Sequence, residues 1–149
     1  MMSRRRAREL TLRALYAHEM SGNTLDNIIN DMIVSCDEEK RAKDFAVALL
    51  EHCVRNKKEC IDLIVKRTHN WDFERIAIID KLIMTLTICE FLYFEDIPTK
   101  VSIDEAIEIA KKYSTEKSGQ FINGILDGVL MDLKKQGRIH KKGRGLQEN

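Results

Sequence analysis

The side chains best suited to recognition chemistry crowd the start of the chain. Arg4-Arg5-Arg6-Ala7-Arg8-Glu9-Leu10-Thr11-Leu12-Arg13-Ala14-Leu15-Tyr16 brings five arginines and a tyrosine into one short stretch. A guanidinium is a planar, permanently charged fork that matches phosphate oxygens, and an aromatic ring offers a face on which an unpaired base can stack. Read as a helix, the stretch puts Ala7, Leu10, Thr11, Ala14, Ala17 and His18 on one side at 3.6-residue spacing, and Arg5, Arg6, Glu9, Arg13 and Tyr16 on the other. One face would anchor the helix through small residues, and the other would display arginine and tyrosine to RNA. The same pattern also describes a solvated amphipathic face with no ligand.

Other chemistries find little support. Cys36, Cys53, Cys60 and Cys89 have no C-x-x-C spacing and no paired histidine motif, so they read as reduced core cysteines, with no metal and no cofactor expected. The four histidines lie far apart in sequence. There is no Gly-rich phosphate cradle, no H-E-x-x-H and no nucleophile elbow, so no catalytic residue is assigned and an enzyme is not expected. The N-terminus lacks an apolar signal region, and no run of about 18 apolar residues could span a bilayer. A cytoplasmic protein without membrane contact is therefore expected.

The 149 residues, 44% of them hydrophobic, suffice for one domain built of two small helical halves. A net charge of +1 conceals an asymmetry: residues 3–13 hold five Arg against one Glu, and residues 134–144 hold six Lys or Arg and no acid. Basic ends on a neutral body suit local contact with a polyanion.

Positioning these residues requires helices throughout. Ser21-Gly22-Asn23 stops the first, and Thr24 can cap a second with Leu25, Ile28, Ile29, Met32 and Ile33 inward. Ser35-Cys36-Asp37-Glu38 reads as a capping box for a third, which carries Phe45, Leu49, His52 and Cys53 and breaks or runs on near Asn56. Residues 68–72 read as a linker between the halves, with Trp71 as a plug. From Ile76 to Phe94 apolar residues run all round the helix, the mark of a central buried one, interrupted by Asp80 and Glu90. Asp96-Ile97-Pro98 breaks the chain. Ser102 and Glu105 then form a second capping box, with Val101 and Ala106 as its hydrophobic staple. Ser114 or Thr115 can cap the last helix. Lys117 sits in that helix's first turn, where the helix dipole disfavours a cation, and Gly124 would allow a close helix approach. The tail 137–149 is basic and aperiodic and is expected to be disordered. No strand pattern occurs. The fold expected is all-α, with six or seven helices in two packed three-helix-type bundles, about 3–70 and 71–136.

The motifs together resemble the NusB family of transcription antitermination factors. The N-terminal stretch is similar to the family's R-R-x-A-R-E-x-A-x-Q-x-L-Y. Ile97-Pro98-Thr99-Lys100-Val101-Ser102-Ile103-Asp104-Glu105-Ala106 resembles V-P-x-x-V-A-I-N-E-A, and Phe121-Ile122-Asn123-Gly124-Ile125-Leu126-Asp127 resembles F-V-N-G-V-L-D. Asp80-Lys81 and Glu90 match the acid-basic pair and the Y-E dipeptide of the central helix, although Thr85 stands where Arg is usual and Cys89 where Tyr is usual. The resemblance implies a non-enzymatic protein that pairs with NusE, a small-subunit ribosomal protein, and binds the single-stranded boxA element of ribosomal RNA transcripts. Other Nus factors and RNA polymerase would complete the antitermination complex, and a homodimer is admitted when the partner is absent. It implies an RNA surface of Arg4, Arg5, Arg6, Arg8, Arg13, Tyr16, Lys117, Gln120, Phe121 and Asn123, and a partner surface of Ile76, Asp80, Met84 and Thr85. The rival readings are a helical protein-interaction scaffold and an RNA-binding accessory in ribosomal RNA processing; an RNA-modifying enzyme with a NusB-like domain would need a Gly-rich cofactor motif that these residues lack.

Overall fold

The computed structural model describes residues 4–68 and 73–147. Among them there are seven α-helices and no strand, in agreement with the all-α expectation. The predicted Trp71 plug lies outside the described residues. The chain divides into two compact units, Met1–Arg55 and Asn56–Asn149. The linker pattern predicts a boundary near residue 70; the division near Asn56 assigns one more helix to the second unit.

The first unit contains α1 (Arg4–Ser21), a short α2 (Leu25–Ile28) that continues as a π-helical turn over Ile29–Val34, and α3 (Lys40–Arg55). Its main packing is α1 on α3. Small residues make that approach close: Ala7, Ala14 and Ala46 are fully buried. The Thr11 hydroxyl donates to Ala7 O at 2.9 Å and also lies 3.3 Å from Ala46 O on α3. Gly22, at φ 69°, ends α1 in a conformation that a side chain would strain. Thr24 caps α2 as expected, its Oγ1 accepting from Asn27 N at 3.1 Å. The predicted Ser35 capping box does not form. α3 starts only at Lys40, and the Ser35 hydroxyl instead donates back to Asp31 O at the end of the π turn.

The second unit contains α4 (Lys57–Thr68), α5 (Ile78–Tyr93), α6 (Thr99–Tyr113) and α7 (Glu116–Lys135). Helix α5 is its axis and packs against α4, α6 and α7; every residue from 82 to 91 is buried. An all-round apolar helix can only be stable when enclosed in this way. Its buried polar groups are mostly satisfied locally, Thr85 donating to Lys81 O and Thr87 to Ile83 O, both at 2.9 Å. Glu90 is met from α6: Ser102 Oγ donates to its Oε1 at 2.8 Å. Ser102 is thus a buried partner and not the cap the sequence suggests. Pro98 begins α6 one turn earlier, where its fixed φ suits a helix start, and this leaves Val101 exposed rather than stapled. Thr115 caps α7, accepting from Ser118 N at 3.0 Å.

Helix α7 is clamped to α4. Arg67 makes a two-pronged pair with Asp132, Nε to Oδ2 at 2.9 Å and Nη2 to Oδ1 at 2.6 Å. Its stem crosses Gly128, where an added Cβ would come within 2.6 Å of Arg67 Cδ. Close approach therefore belongs to Gly128; Gly124 has open space around it, contrary to expectation. The tail is also ordered: residues 137–147 are described and end in a 3-10 turn over Gly143–Leu146, so the expected disorder does not hold for them. The hydrogen bonds from Arg67 hold the Asp132 carboxyl below its ordinary pKa. A depressed carboxylate adds stability above its unfolded pKa and loses it as pH falls through the folded value. Asp132→Asn should therefore melt below the parent at neutral pH, and the difference should shrink as the pH falls below about 4, the unfolded value; thermal melts over an acid pH series check this.

Candidate nucleic-acid interface

The arginines of helix α1 fall in two groups. At 100° per residue Arg5, Arg6, Glu9, Arg13, Tyr16 and Met20 share one arc, whereas Arg4 and Arg8 lie on another. Tyr16 is 38% exposed, and Arg5, Arg6 and Arg13 are also exposed. Arg8 is only 4% exposed. Its guanidinium lies 5.7 Å from the ring centre of Phe45 on α3, and that of Arg4 lies 4.9 Å from the same ring. Arg8 is thus a packing residue whose long apolar stem permits burial, and Phe45 is its aromatic seat. Arg6 pairs with Glu38 at 2.7 Å within the unit, a partner 32 residues away in sequence that no local pattern announces.

The other expected RNA residues belong to the second unit. Lys117 and Gln120 are exposed in the first turns of α7, and Phe121 is half-buried on the same side as Lys117. Asn123 points elsewhere, about 200° round the helix from Phe121. It lines a groove of about 490 Å³ between α6 and α7 together with Asp104 and Asp127. Lys100 and Lys134 line the same groove, so its two acids are balanced by two cations, and Asn123 is set apart from the Lys117 side by direction alone.

The partner residues expected on the second unit turn inward. Met84 is 0% exposed, and Ile76, Asp80 and Thr85 are buried with it. Ile76 lies just before α5 and the other three on it, and the surrounding helices cover them. What the start of α5 does offer is Ile78, one of the exposed large apolar residues, and Lys81 seated 4.3 Å over the Phe73 ring. The surface here is thus made by neighbours of the expected residues. The Oδ1 atom of Asp80 is buried without a hydrogen-bond partner in the first turn of α5, where the helix dipole favours a negative charge.

Among the described residues no group of three or more His, Cys, Asp or Glu could hold a metal ion, and no disulfide joins the four cysteines. No described helix is long and apolar enough to cross a membrane.

Comparison with known proteins finds one family. The family model described as "NusB family" matches residues 5–131. A transcription antitermination protein NusB from Salinibacter ruber is 44% identical over 147 residues, which cover 98% of this chain and 92% of the relative. One from Chloroherpeton thalassium is 44% identical over 146 residues, 97% of this chain and 69% of the relative. The structure of T. maritima NusB superposes with a TM-score of 0.80 at 36% identity, over 88% of this chain and 92% of that one. A structure described as antitermination factors NusB and NusE in complex with dsRNA has the same fold, with a TM-score of 0.77 at 22% identity over 88% of this chain and 99% of that one. With a family match over most of the chain and the basic first helix at its start, the chain belongs to the NusB family of transcription antitermination proteins.

Proposed function

We propose that this non-enzymatic factor binds single-stranded RNA of the boxA type in ribosomal RNA transcripts, jointly with a NusE-type ribosomal protein, and so suppresses termination. The observation that carries the reading is the exposed arc of α1, along which Arg5, Arg6 and Arg13 lie on the same side as Tyr16. Charge and a stacking surface on one rigid helix are what recognition of an unpaired strand needs. Lys117, Gln120 and Phe121 on α7 are the second area that this reading assigns to RNA. Lys117 accepts an unfavourable place in the helix dipole, which a phosphate nearby would offset. Buried Arg8 acts through Phe45, by holding α1 in place, and exposed Arg4 lies over the same ring at the edge of the RNA surface. The NusE-type partner rests on family membership and on the described complex of a NusB relative; the surface available to it near α5 is Ile78 and Lys81. The remaining Nus factors and RNA polymerase enter through that assembly.

The division of the arginines has a direct consequence. Replacing Arg5 and Arg13 with Ala should leave the fold intact and flatten the plot of log affinity against log salt. The slope should fall by about 0.7 for each single-strand phosphate that is no longer neutralised. Arg8→Ala should lower the melting temperature and leave that slope nearly unchanged. Filter binding over a salt series, paired with melting curves, separates the two; a slope that changes only in Arg8→Ala would reverse the assignment.

Tyr16 tests the stacking component. Tyr16→Ala should cost on the order of 1–3 kcal/mol of RNA binding, and Tyr16→Phe much less, since the ring and not the hydroxyl meets the base. Titration of a fluorescent boxA-type RNA measures both variants. Equal losses would move the interaction to the hydroxyl, and no loss in either would remove Tyr16 from the interface.

A further inference from the structure

The basic segment after α7 is built to dock. Gly137, at φ 67°, ends the helix by a double return in which its own N–H reaches Lys134 O at 3.0 Å and Arg138 N–H reaches Leu133 O at 2.9 Å. The chain then lies against the rest of the second unit, and its cations are used there. Arg138 pairs with Glu59 on α4 at 2.6 Å. Lys141 Nζ donates to Glu90 O at 3.0 Å and to Phe94 O at 2.8 Å, two carbonyls at the C-terminal end of α5, where the helix dipole favours a cation. Lys142 donates its backbone N–H to Glu95 O at 3.0 Å, and its ammonium lies 3.5 Å from the Glu95 carboxylate. Gly143, at φ 52°, turns the chain, and buried Gly145 then sits where an added Cβ would overlap the Glu95 carbonyl oxygen. Three glycines stand where a side chain would strain or collide, and three cations meet their own partners; a loose polyelectrolyte tail needs none of this.

Beside the Arg138–Glu59 pair that anchors the segment lies a chemical group that the RNA-binding reading does not use. Cys60 and Cys89 are fully buried with their sulfurs 3.9 Å apart. Cys60 adjoins Glu59, the partner of Arg138, and Tyr93 stands in the same cluster, its hydroxyl donating to Asn56 Oδ1 at 3.1 Å. Burial, and then the Glu59 charge, push the Tyr93 phenol above its usual pKa. The hydrogen bond to Cys89, followed by burial, holds the Cys60 thiol well above its ordinary pKa, and both side chains are shut away from solvent.

We propose that residues 137–147 are a latch that closes the end of the unit where α4 begins and α5 ends, and that its opening gates solvent access to the Cys60–Cys89 dithiol. The latch is held by half-exposed ion pairs and by one seated lysine, so it can open without unfolding the helices around it. Two full-length variants open it by different routes: Gly145→Ala by steric collision with no change in charge, and Lys141→Met by removing the ammonium while keeping the stem. The measurement is the rate of alkylation by iodoacetamide, resolved at each cysteine by mass spectrometry under native conditions. Both variants should react about tenfold faster at Cys60 and Cys89, with buried Cys53 of the other unit unchanged. Unchanged rates at Cys60 and Cys89 in both variants would overturn the latch, and a matching loss of RNA affinity would give the segment to RNA instead. An equal rise at Cys53 would also overturn it, since the segment would then serve general stability alone.

Discussion

A helix that is apolar on every side cannot remain at a surface, and α5 imposes that constraint on the second unit. Enclosing residues 82–91 requires α4, α6 and α7 together, and each brings a device that deals with a polar consequence. α6 supplies Ser102 to the carboxylate of Glu90; α7 and α4 close on one another through Arg67, Asp132 and the space left by Gly128. The segment after α7 supplies Lys141 to the carbonyls at the end of α5. A buried charge left unmet would cost several kcal/mol, so these interactions fix the order and register of the helices around α5.

The first unit solves a different problem, that of holding a helix firmly by one side only. Ala7, Thr11 and Ala14 let α1 approach α3 closely, and Phe45 seats buried Arg8 and lies under exposed Arg4. What remains facing outward is rigidly displayed, which lowers the ordering cost of binding a flexible strand. Arg6 is moderated by Glu38, so the arc is a patterned surface and not a uniform positive field.

Local signals are legible in the sequence where they have local causes. The cap at Thr24, the stop at Gly22 and the buried character of α5 each depend on neighbours within a few residues, whereas the choices between Ser114 and Thr115 and between a break and a continuous helix at Asn56 stay open in the sequence. The misreadings share a cause in partners distant along the chain. Ser102 looks like a cap until Pro98 starts the helix earlier and Glu90 appears opposite it. Arg8 looks like a ligand-binding cation until Phe45 is brought beneath it. Met84 and Thr85 look available to a partner because an all-round apolar helix gives no hint of which side is covered first. The tail looks disordered because its order comes from glycines and lysines meeting α4 and α5, and hydrophobic periodicity does not record such encounters. The RNA class and the protein partner have no local signal in the sequence, and the proposal takes them from the resemblance to the family.

Linkage between the two proposed ligands is the most direct measure of the function as a whole. Calorimetry of this protein with a boxA-type RNA, with a NusE-type ribosomal protein, and with each in the presence of the other closes a thermodynamic square. The account predicts that the partner tightens RNA binding, that RNA tightens the protein pair by the same factor, and that a scrambled single strand does neither. Equal affinity for boxA-type and scrambled strands, with the partner bound independently of both, would contradict it.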